Sequence, residues 1–527
     1  MPLILPAFPG PRYRGARQLG GAISGRRLLF IRKFYGGTKR FEMLAAESVP
    51  RPVSPTGGNM SELPETAGSA KNNGRPTSRR RVLQAGLAAG AAVGVGAWRS
   101  APGPAAALSP LAKPLRKPGS RPYPKLPAGT DTIPQIEHII ILMMENHSYD
   151  NRLGMLRRPG ADGFTIGKNG KPLNTNPYKN GWIQHAFRMP TTCQNDKPAQ
   201  DWLNSHLQLG TGHNNGFVES GVGGTAMGYW EKADQPFYYA MASVFPIADR
   251  YFCSVLGQTD PNRRYLMGAT SLGQVNDTAP KLSDYPANGT IFDAVAKVGL
   301  SWKAYYSNQS STALFPELYI KNTKKIVKIT EFYKDAAAGK LPSLSLVEPN
   351  YSTQSEENPQ DIVEGEQFAA EIIDAVMKGP AWDKTLLIWT YDEHGGYYDH
   401  VVPPAALAPD SIKPDVPKGE KVYTGFKQYG FRVPCAVVSP YARRDYVSHK
   451  VMDHTSICAL VEYKWNLPAM TYRDANANPM LDMLNLKSAA FKTPPKLAKP
   501  LLDTDKGTLK CLKTGPGVIP PPDSITK

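Results

Sequence analysis

At 527 residues, 41% hydrophobic and 20% charged, the chain can bury a sizeable core in one large or two ordinary domains, which excludes a small stapled module. Its net charge of +17 does not mark a nucleic-acid binder, because 21 Lys and Arg against four acids precede Asp131 and the rest of the chain carries 41 of each sign. Five scattered cysteines without a C-x-x-C pair exclude a zinc knuckle and a disulfide framework, leaving room for one disulfide, and no apolar run is long enough to span a bilayer.

Residues 1–59 are rich in Arg, Gly and Pro without a sustained period, and Met60 is the expected start. Within 60–107, Ser78 and Arg79 to Arg81 precede a weakly apolar Ala/Gly/Val stretch and the small residues Ala105 to Ala107. This resembles a twin-arginine export signal, which implies passage through the twin-arginine machinery to the periplasm or the medium. A basic linker beside an amphipathic helix would share the composition. Residues 108–131 are Pro-rich and read as an extended linker, and the folded body is expected over 132–492.

The body opens with "IEHIIILMMENHSYDNRLG", where the apolar run Ile139 to Met144 has strand rather than helix length. It stops at Glu145 and Asn146, which places an acid and an amide at the carboxyl end of a buried parallel strand, the edge where open α/β sheets bind ligands. "TLLIWTYDEHGGYYDHVVPP" repeats the arrangement, with Asp392 and Glu393 at the exit of a strand over Thr385 to Tyr391. Before it, Phe368, Ile372, Ile373, Val376 and Met377 recur at helical spacing, and "RVPCAVVSPYA" supplies a third strand. The alternation favours a parallel sheet covered by helices on both faces. Three acids and an amide at one edge call for a cation, and hard oxygen donors favour Ca²⁺, Mg²⁺ or Mn²⁺, with Zn²⁺ also compatible. The same acids would serve equally as helix caps or arginine partners.

In "GQTDPNRRYLMGATS", Asp260 reads as an N-cap with Pro261 at N1, which sets Thr259 just before a helix N-terminus. Backbone N–H groups and the helix dipole there suit a phosphate, and Arg263 or Arg264 could add a cation. A hydroxyl beside a metal becomes a nucleophile, since the cation lowers its effective pKa. Taken alone, the motif reads more readily as a cap without chemistry. The tail over 493–527 is Pro- and Lys-rich and reads as a surface wrap or a loose terminus.

These motifs with "ENHSYDNRLG" and "RVPCAVVSPYARRDYVSHKVMDHTSI" occur in an order that resembles the bacterial phosphoesterase family of non-specific phospholipases C and acid phosphatases. The resemblance implies an alkaline-phosphatase-like α/β fold, a three-layer sandwich with a mostly parallel central sheet and helices on both faces. It also implies one divalent metal ion held by Glu145, Asn146, Thr259, Asp392 and Glu393, with Thr259 as nucleophile and Arg263 on the substrate phosphate. Two positions depart from the family pattern: Gln200 in "AQDWLNSH" and Asn358 in "SEENPQDI" stand where histidines are expected, although His206 is retained.

The expected reaction is a pair of in-line displacements through a phosphothreonine, with a histidine as general acid. His206, His394, His400 and His454 are the candidates, His206 foremost for phosphate contact and the last two also as holders of the acidic loop. The leading expectation is a secreted phospholipase C acting on phospholipid headgroup diesters, with transient membrane contact. The alternatives are an acid-phosphatase-type monoesterase and a secreted metal- or phosphate-binding relative without turnover.

Overall fold

The computed structural model describes residues 116–527, apart from 195–197, 222 and 503–506, together with two short paired strands, Arg32–Tyr35 and Thr38–Phe41. The export-signal region over 60–107 lies outside the described residues.

The core is an eight-stranded sheet. In chain order its strands are β1 (His138–Met144), β2 (Ile247–Ala248), β3 (Trp302–Tyr306), β4 (Ile326–Lys328), β5 (Leu344–Glu348), β6 (Thr385–Tyr391), β7 (Cys435–Val438) and β8 (Val447–Ser448). Across the sheet they run β4-β3-β5-β1-β6-β7-β2-β8. All pairings are parallel except those of β7, which runs antiparallel to both β6 and β2. The third strand read from the sequence is therefore present but reversed, which leaves the sheet mostly parallel. β1 and β6 are apolar on both faces because both faces are covered.

Helices used below are α1 (Tyr149–Leu153), α2 (Trp202–Leu209), α3 (Pro236–Val244), α4 (Thr259–Gly268), α5 (Ile291–Lys297), α6 (Ile329–Ala337), α7 (Ile362–Lys378) and α8 (His454–Trp465). Six of them pack in two sets, α4 with α5 and α8, and α7 with α3 and α6. β3 shows that the sets lie on opposite faces: Trp302 meets Phe292 of α5 at 4.6 Å between ring centroids, and Tyr305 meets Phe332 of α6 at 5.3 Å. Three residues apart on a strand, those side chains point to opposite faces. The result is the expected α/β three-layer sandwich.

The Pro-rich segment expected as a linker is, from residue 116 on, bound to the body. Gly119 and Ser120 exchange main-chain hydrogen bonds with Ala469, Thr132 N–H reaches the Lys464 carbonyl, and the Asn466 amide donates to Tyr123, Leu126 and Pro127 carbonyls. The C-terminal tail is a wrap. Ile525–Thr526 pairs antiparallel with Ile183–His185, and Cys511 forms a disulfide with Cys193.

Candidate active site

The site is set by register. Parallel β1 and β6 align Met144 with Tyr391, so Glu145–Asn146 and Asp392–Glu393 leave the sheet side by side. Asn146 N–H donates to Asp392 Oδ1 at 3.1 Å, and Glu393 N–H donates to the same oxygen at 2.8 Å. All four residues are buried. Asn146 turns with φ of 68°, a left-handed conformation that asparagine tolerates better than most residues. Gly395 (φ of 67°) then passes so close that a Cβ there would lie 1.8 Å from the Asn146 carbonyl oxygen, and the acidic loop requires a glycine at this point.

Thr259 reaches the same place from the other direction. Its hydroxyl donates to Asn146 Oδ1 at 3.1 Å. The helix begins at Thr259 itself with Gln258 as N-cap, so the expectation of Asp260 as N-cap and Pro261 at N1 is corrected by two positions. The reason is Asn262, whose Oδ1 accepts from the N–H groups of Ser254 and Val255 while its amide donates to the carbonyls of Val255, Gly257 and Gln258. That side chain ties down the turn that delivers Thr259. Little of the helix N-terminus remains for an anion, because Asp277 Oδ1 takes the Asp260 N–H at 2.8 Å and Pro261 has none.

Arg263 is not where the phosphate contact was expected. It is 1% exposed, with Nε donating to Asp392 Oδ2 at 2.8 Å, Nη2 to the Met144 carbonyl at 3.1 Å and Nη1 lying 3.5 Å from Glu348 Oε1. It holds the acid from inside the protein. Burial pushes the Asp392 carboxyl above the usual carboxylate range, against the pull of Arg263 and of the two N–H groups. Glu348 stands at the exit of β5, and the apolar run "LSLVE" carried the same strand-then-acid signal that marked β1 and β6.

The four candidate histidines are spread around this centre, and the general-acid expectation is not met by any of them. His454 directs Nε2 to the Asp392 carbonyl at 2.7 Å and Nδ1 to the Tyr251 hydroxyl at 3.1 Å, so it holds the acidic loop. His394 directs Nε2 to Gln208 Oε1 at 2.7 Å, and its Nδ1 lies 3.1 Å from Glu393 Oε2. His206 gives Nδ1–H to the Trp202 carbonyl at 2.7 Å and stacks on Tyr423. Burial lowers these three to about 4, 3 and 4 respectively, which leaves neutral rings whose one N–H is already used. His400 is charged, but its nitrogens meet Asp150 Oδ2 at 2.7 Å and Asp162 Oδ1 at 3.1 Å. It joins Asp399 and Arg432 in a separate ionic cluster.

Of the two departures, Asn358 is absorbed by the fold: both ends of its amide meet the Tyr397 hydroxyl, at 2.9 and 3.0 Å. Gln200 is buried, and neither of its amide atoms has a hydrogen-bond partner among the described residues.

Glu145, Asn146, Thr259, Asp392 and Glu393 are buried residues with hard oxygen donors, brought to one sheet edge by the register of β1 and β6 and by the Thr259–Asn146 hydrogen bond. Asn146 already turns its Oδ1 toward the threonine hydroxyl, and its Nδ2 has no partner among the described residues. That donor chemistry fits a divalent cation. The Asp150–Asp399–His400 group does not, since Arg432 supplies its positive charge at 3.0 Å from Asp150 and 2.8 Å from Asp399.

The profile of the Phosphoesterase family matches residues 136–468. The chain belongs to the phosphoesterase family. It is 32% identical over 381 residues to non-specific phospholipase C1 of Arabidopsis thaliana, covering 64% of this chain and 69% of that protein. It is 29% identical over 444 residues to phospholipase C B of Mycobacterium tuberculosis, covering 73% and 83%. Among solved structures, a Vibrio parahaemolyticus protein of the alkaline phosphatase superfamily overlaps at 10% identity with a TM-score of 0.31, over 62% of this chain and 75% of that one. That likeness is too slight to carry the fold, which rests on the sheet order described above. As a phosphoesterase the protein is a hydrolase of phosphoric ester bonds.

Proposed function

We propose that this phosphoesterase is an exported, metal-dependent enzyme of the phospholipase C type that works through a phosphothreonine intermediate. The observation that carries the reading is the meeting of Thr259 with Asn146, 113 residues away in sequence, whose N–H in turn holds Asp392 at the adjacent strand end. Glu145, Asn146, Thr259, Asp392 and Glu393 would hold one divalent ion (Ca²⁺, Mg²⁺, Mn²⁺ or Zn²⁺), which when bound lowers the effective pKa of the hydroxyl and neutralises phosphate charge. Thr259 Oγ1 loses its proton to water and attacks phosphorus, the P–O bond to the leaving group breaks, and the departing alkoxide takes a proton from water. Water then hydrolyses the phosphothreonine, freeing Thr259. Arg263 draws Asp392 toward its ionised form and holds it in place, and His454 fixes the carbonyl of the same residue.

The phospholipases C among the relatives support phospholipid headgroup esters as substrates. Brief contact with a lipid surface is supported by exposed Val422 and Tyr423, the latter stacked over His206. Export is supported by the Arg79 to Arg81 run and by the Cys193–Cys511 disulfide, since such bonds persist in oxidising compartments. The test is elemental analysis of purified protein with hydrolysis of phosphatidylcholine and of an aryl phosphate. One bound divalent ion and release of phosphocholine are expected. Turnover of the aryl phosphate alone would make it a monoesterase, and turnover of neither would overturn the reading.

A further inference from the structure

Glu145–Asn146 and Asp392–Glu393 leave the sheet on separate strands, and a cation site built across them is only as exact as the groups that fix their separation. Asp392 Oδ1, which accepts from two N–H groups, is one such tie. Glu356, in the loop between β5 and α7, is a second, and no step at Thr259 uses it.

The main chain around Glu356 holds one strand end. Glu145 N–H donates to the Ser355 carbonyl at 2.9 Å and His147 Nε2–H to the Glu356 carbonyl at 2.9 Å, so the residues on either side of Asn146 are both tied to this loop. The side chain holds the other end. Tyr391, the last residue of β6 and the neighbour of Asp392, donates its hydroxyl to Glu356 Oε2, which also pairs with Arg152 of α1. Arg152 Nη2 lies 3.2 Å from the same hydroxyl oxygen and closes the triangle, and Glu356 Oε1 accepts from Tyr238 of α3 at 2.7 Å.

Glu356 is fully buried with φ of 75°, a left-handed backbone that a residue other than glycine keeps only where its surroundings impose it. Gln360 Oε1 accepts from the N–H groups of Ser355 and Glu356 at 2.9 and 3.2 Å, and Gln194 Nε2 donates to the Glu356 carbonyl at 2.6 Å. Gly365 of α7 makes the room, since a Cβ there would lie 2.1 Å from Glu356 Cγ. That turn sends the carbonyl to one strand end and the carboxylate to the other.

We propose that Glu356 is a positioning residue that sets the separation of Glu145–Asn146 from Asp392–Glu393, and with it the strength with which the site holds its divalent ion. Both of its carboxylate oxygens are taken by protein donors, so it acts through Tyr391 and the main chain rather than as a ligand. The inference rests on the reading of those four residues as metal ligands.

The test compares Tyr391→Phe with Tyr238→Phe in the full-length protein. Each removes one buried hydroxyl from the same carboxylate, but only Tyr391 adjoins a ligand. Glu356 itself is kept, because removing its charge strands the buried Arg152 cation and destabilises the whole fold. Binding of Mn²⁺ to metal-stripped protein is followed by calorimetry, hydrolysis of a chromogenic phosphate ester is measured at saturating Mn²⁺, and thermal midpoints are taken without metal. Tyr391→Phe should raise the Mn²⁺ dissociation constant about tenfold or more and lower kcat with KM unchanged, as loss of an outer partner of a metal ligand does. Tyr238→Phe should stay within twofold of wild type in both. A structural role alone would lower both metal-free midpoints and leave Mn²⁺ binding as it is. That result, equal losses of Mn²⁺ affinity in the two variants, or affinity and kcat within twofold of wild type in Tyr391→Phe, overturns the inference and leaves the proposed function standing. A wild type that neither binds Mn²⁺ nor hydrolyses the ester overturns the function first, and the role of Glu356 with it.

Discussion

The loop after β6 serves two buried charged groups within ten residues, and they are completed in opposite ways. At its far end Arg432 bridges Asp150 and Asp399, and His400 bridges Asp150 and Asp162, which Arg250 also meets at 2.7 Å. Every charge there has a protein counter-charge. At the near end Asp392 has Arg263 and two N–H groups, while Asn146 Nδ2, His394 Nδ1 and the amide of Gln200 have no hydrogen-bond partner among the described residues. Sequence puts a histidine next to an acid in both places, at 393–394 and at 399–400. What separates clamp from site is whether the protein closes its own hydrogen bonds.

The strongest way to break the comparison is to remove the open end's reacting group. Thr259→Ala should lower turnover at least about a thousandfold, as loss of a nucleophile does. Its fold should survive, because the one hydrogen bond lost, to Asn146, is worth only about 1 kcal/mol. Steady-state hydrolysis of a chromogenic phosphate ester, with a denaturation curve alongside, tests both halves; a variant with wild-type turnover would sink the phosphothreonine.

Arg432→Met attacks the closed end and should do the reverse. Removing the guanidinium strands Asp150 and Asp399 without their buried cation, a loss of about 3–5 kcal/mol by the usual cost of breaking such a pair. Chemical denaturation should show the loss while phosphate inhibition of the remaining folded protein stays as in wild type. An equal stability loss in Thr259→Ala would erase the distinction.

The parts legible in the sequence were those written locally. Apolar runs of strand length ending in Glu145–Asn146 and Asp392–Glu393 announced β1, β6 and the sheet edge. Nothing local states that Met144 aligns with Tyr391, or that Arg263 turns inward to an acid 129 residues away. Such partners are fixed by tertiary packing alone. The start of the body was missed for a related reason: composition marks 116–131 as a linker, but its binding to α8 and the following loop runs through main-chain groups and the Asn466 amide, which composition does not register. Glu348 was a missed opportunity, since its strand ends in an acid as the others do.

The tail offers a third probe. Cys193 and Cys511 are 318 residues apart, and Cys193 lies seven residues before Gln200. Cys193→Ser should cost about 2–4 kcal/mol of stability under oxidising conditions, a penalty that disappears when both proteins are measured in reductant. Paired thermal melts with and without dithiothreitol would show it; equal melting of wild type and variant in oxidising buffer would mean that the tail is held by its strand pairing instead.

The smallest effect lies in the pH response of the closed end. Burial opposes the charge on His400, but the carboxylates of Asp150 and Asp162 outweigh it and raise the ring to about 10, with Arg432 opposing. A folded value above the unfolded one, about 6.5, means that the protonated ring stabilises the fold fully below that pH. The contribution then declines as pH rises and is gone once it passes about 10. Asp399, which burial raises to about 6, is itself drawn down by the charge of His400, so wild type and His400→Gln are compared above that range. Their difference in melting temperature should be widest at pH 7 and should close steadily toward pH 10. A gap that is constant across the range would assign the stabilising role of His400 to packing and its hydrogen-bonding shape rather than to its charge.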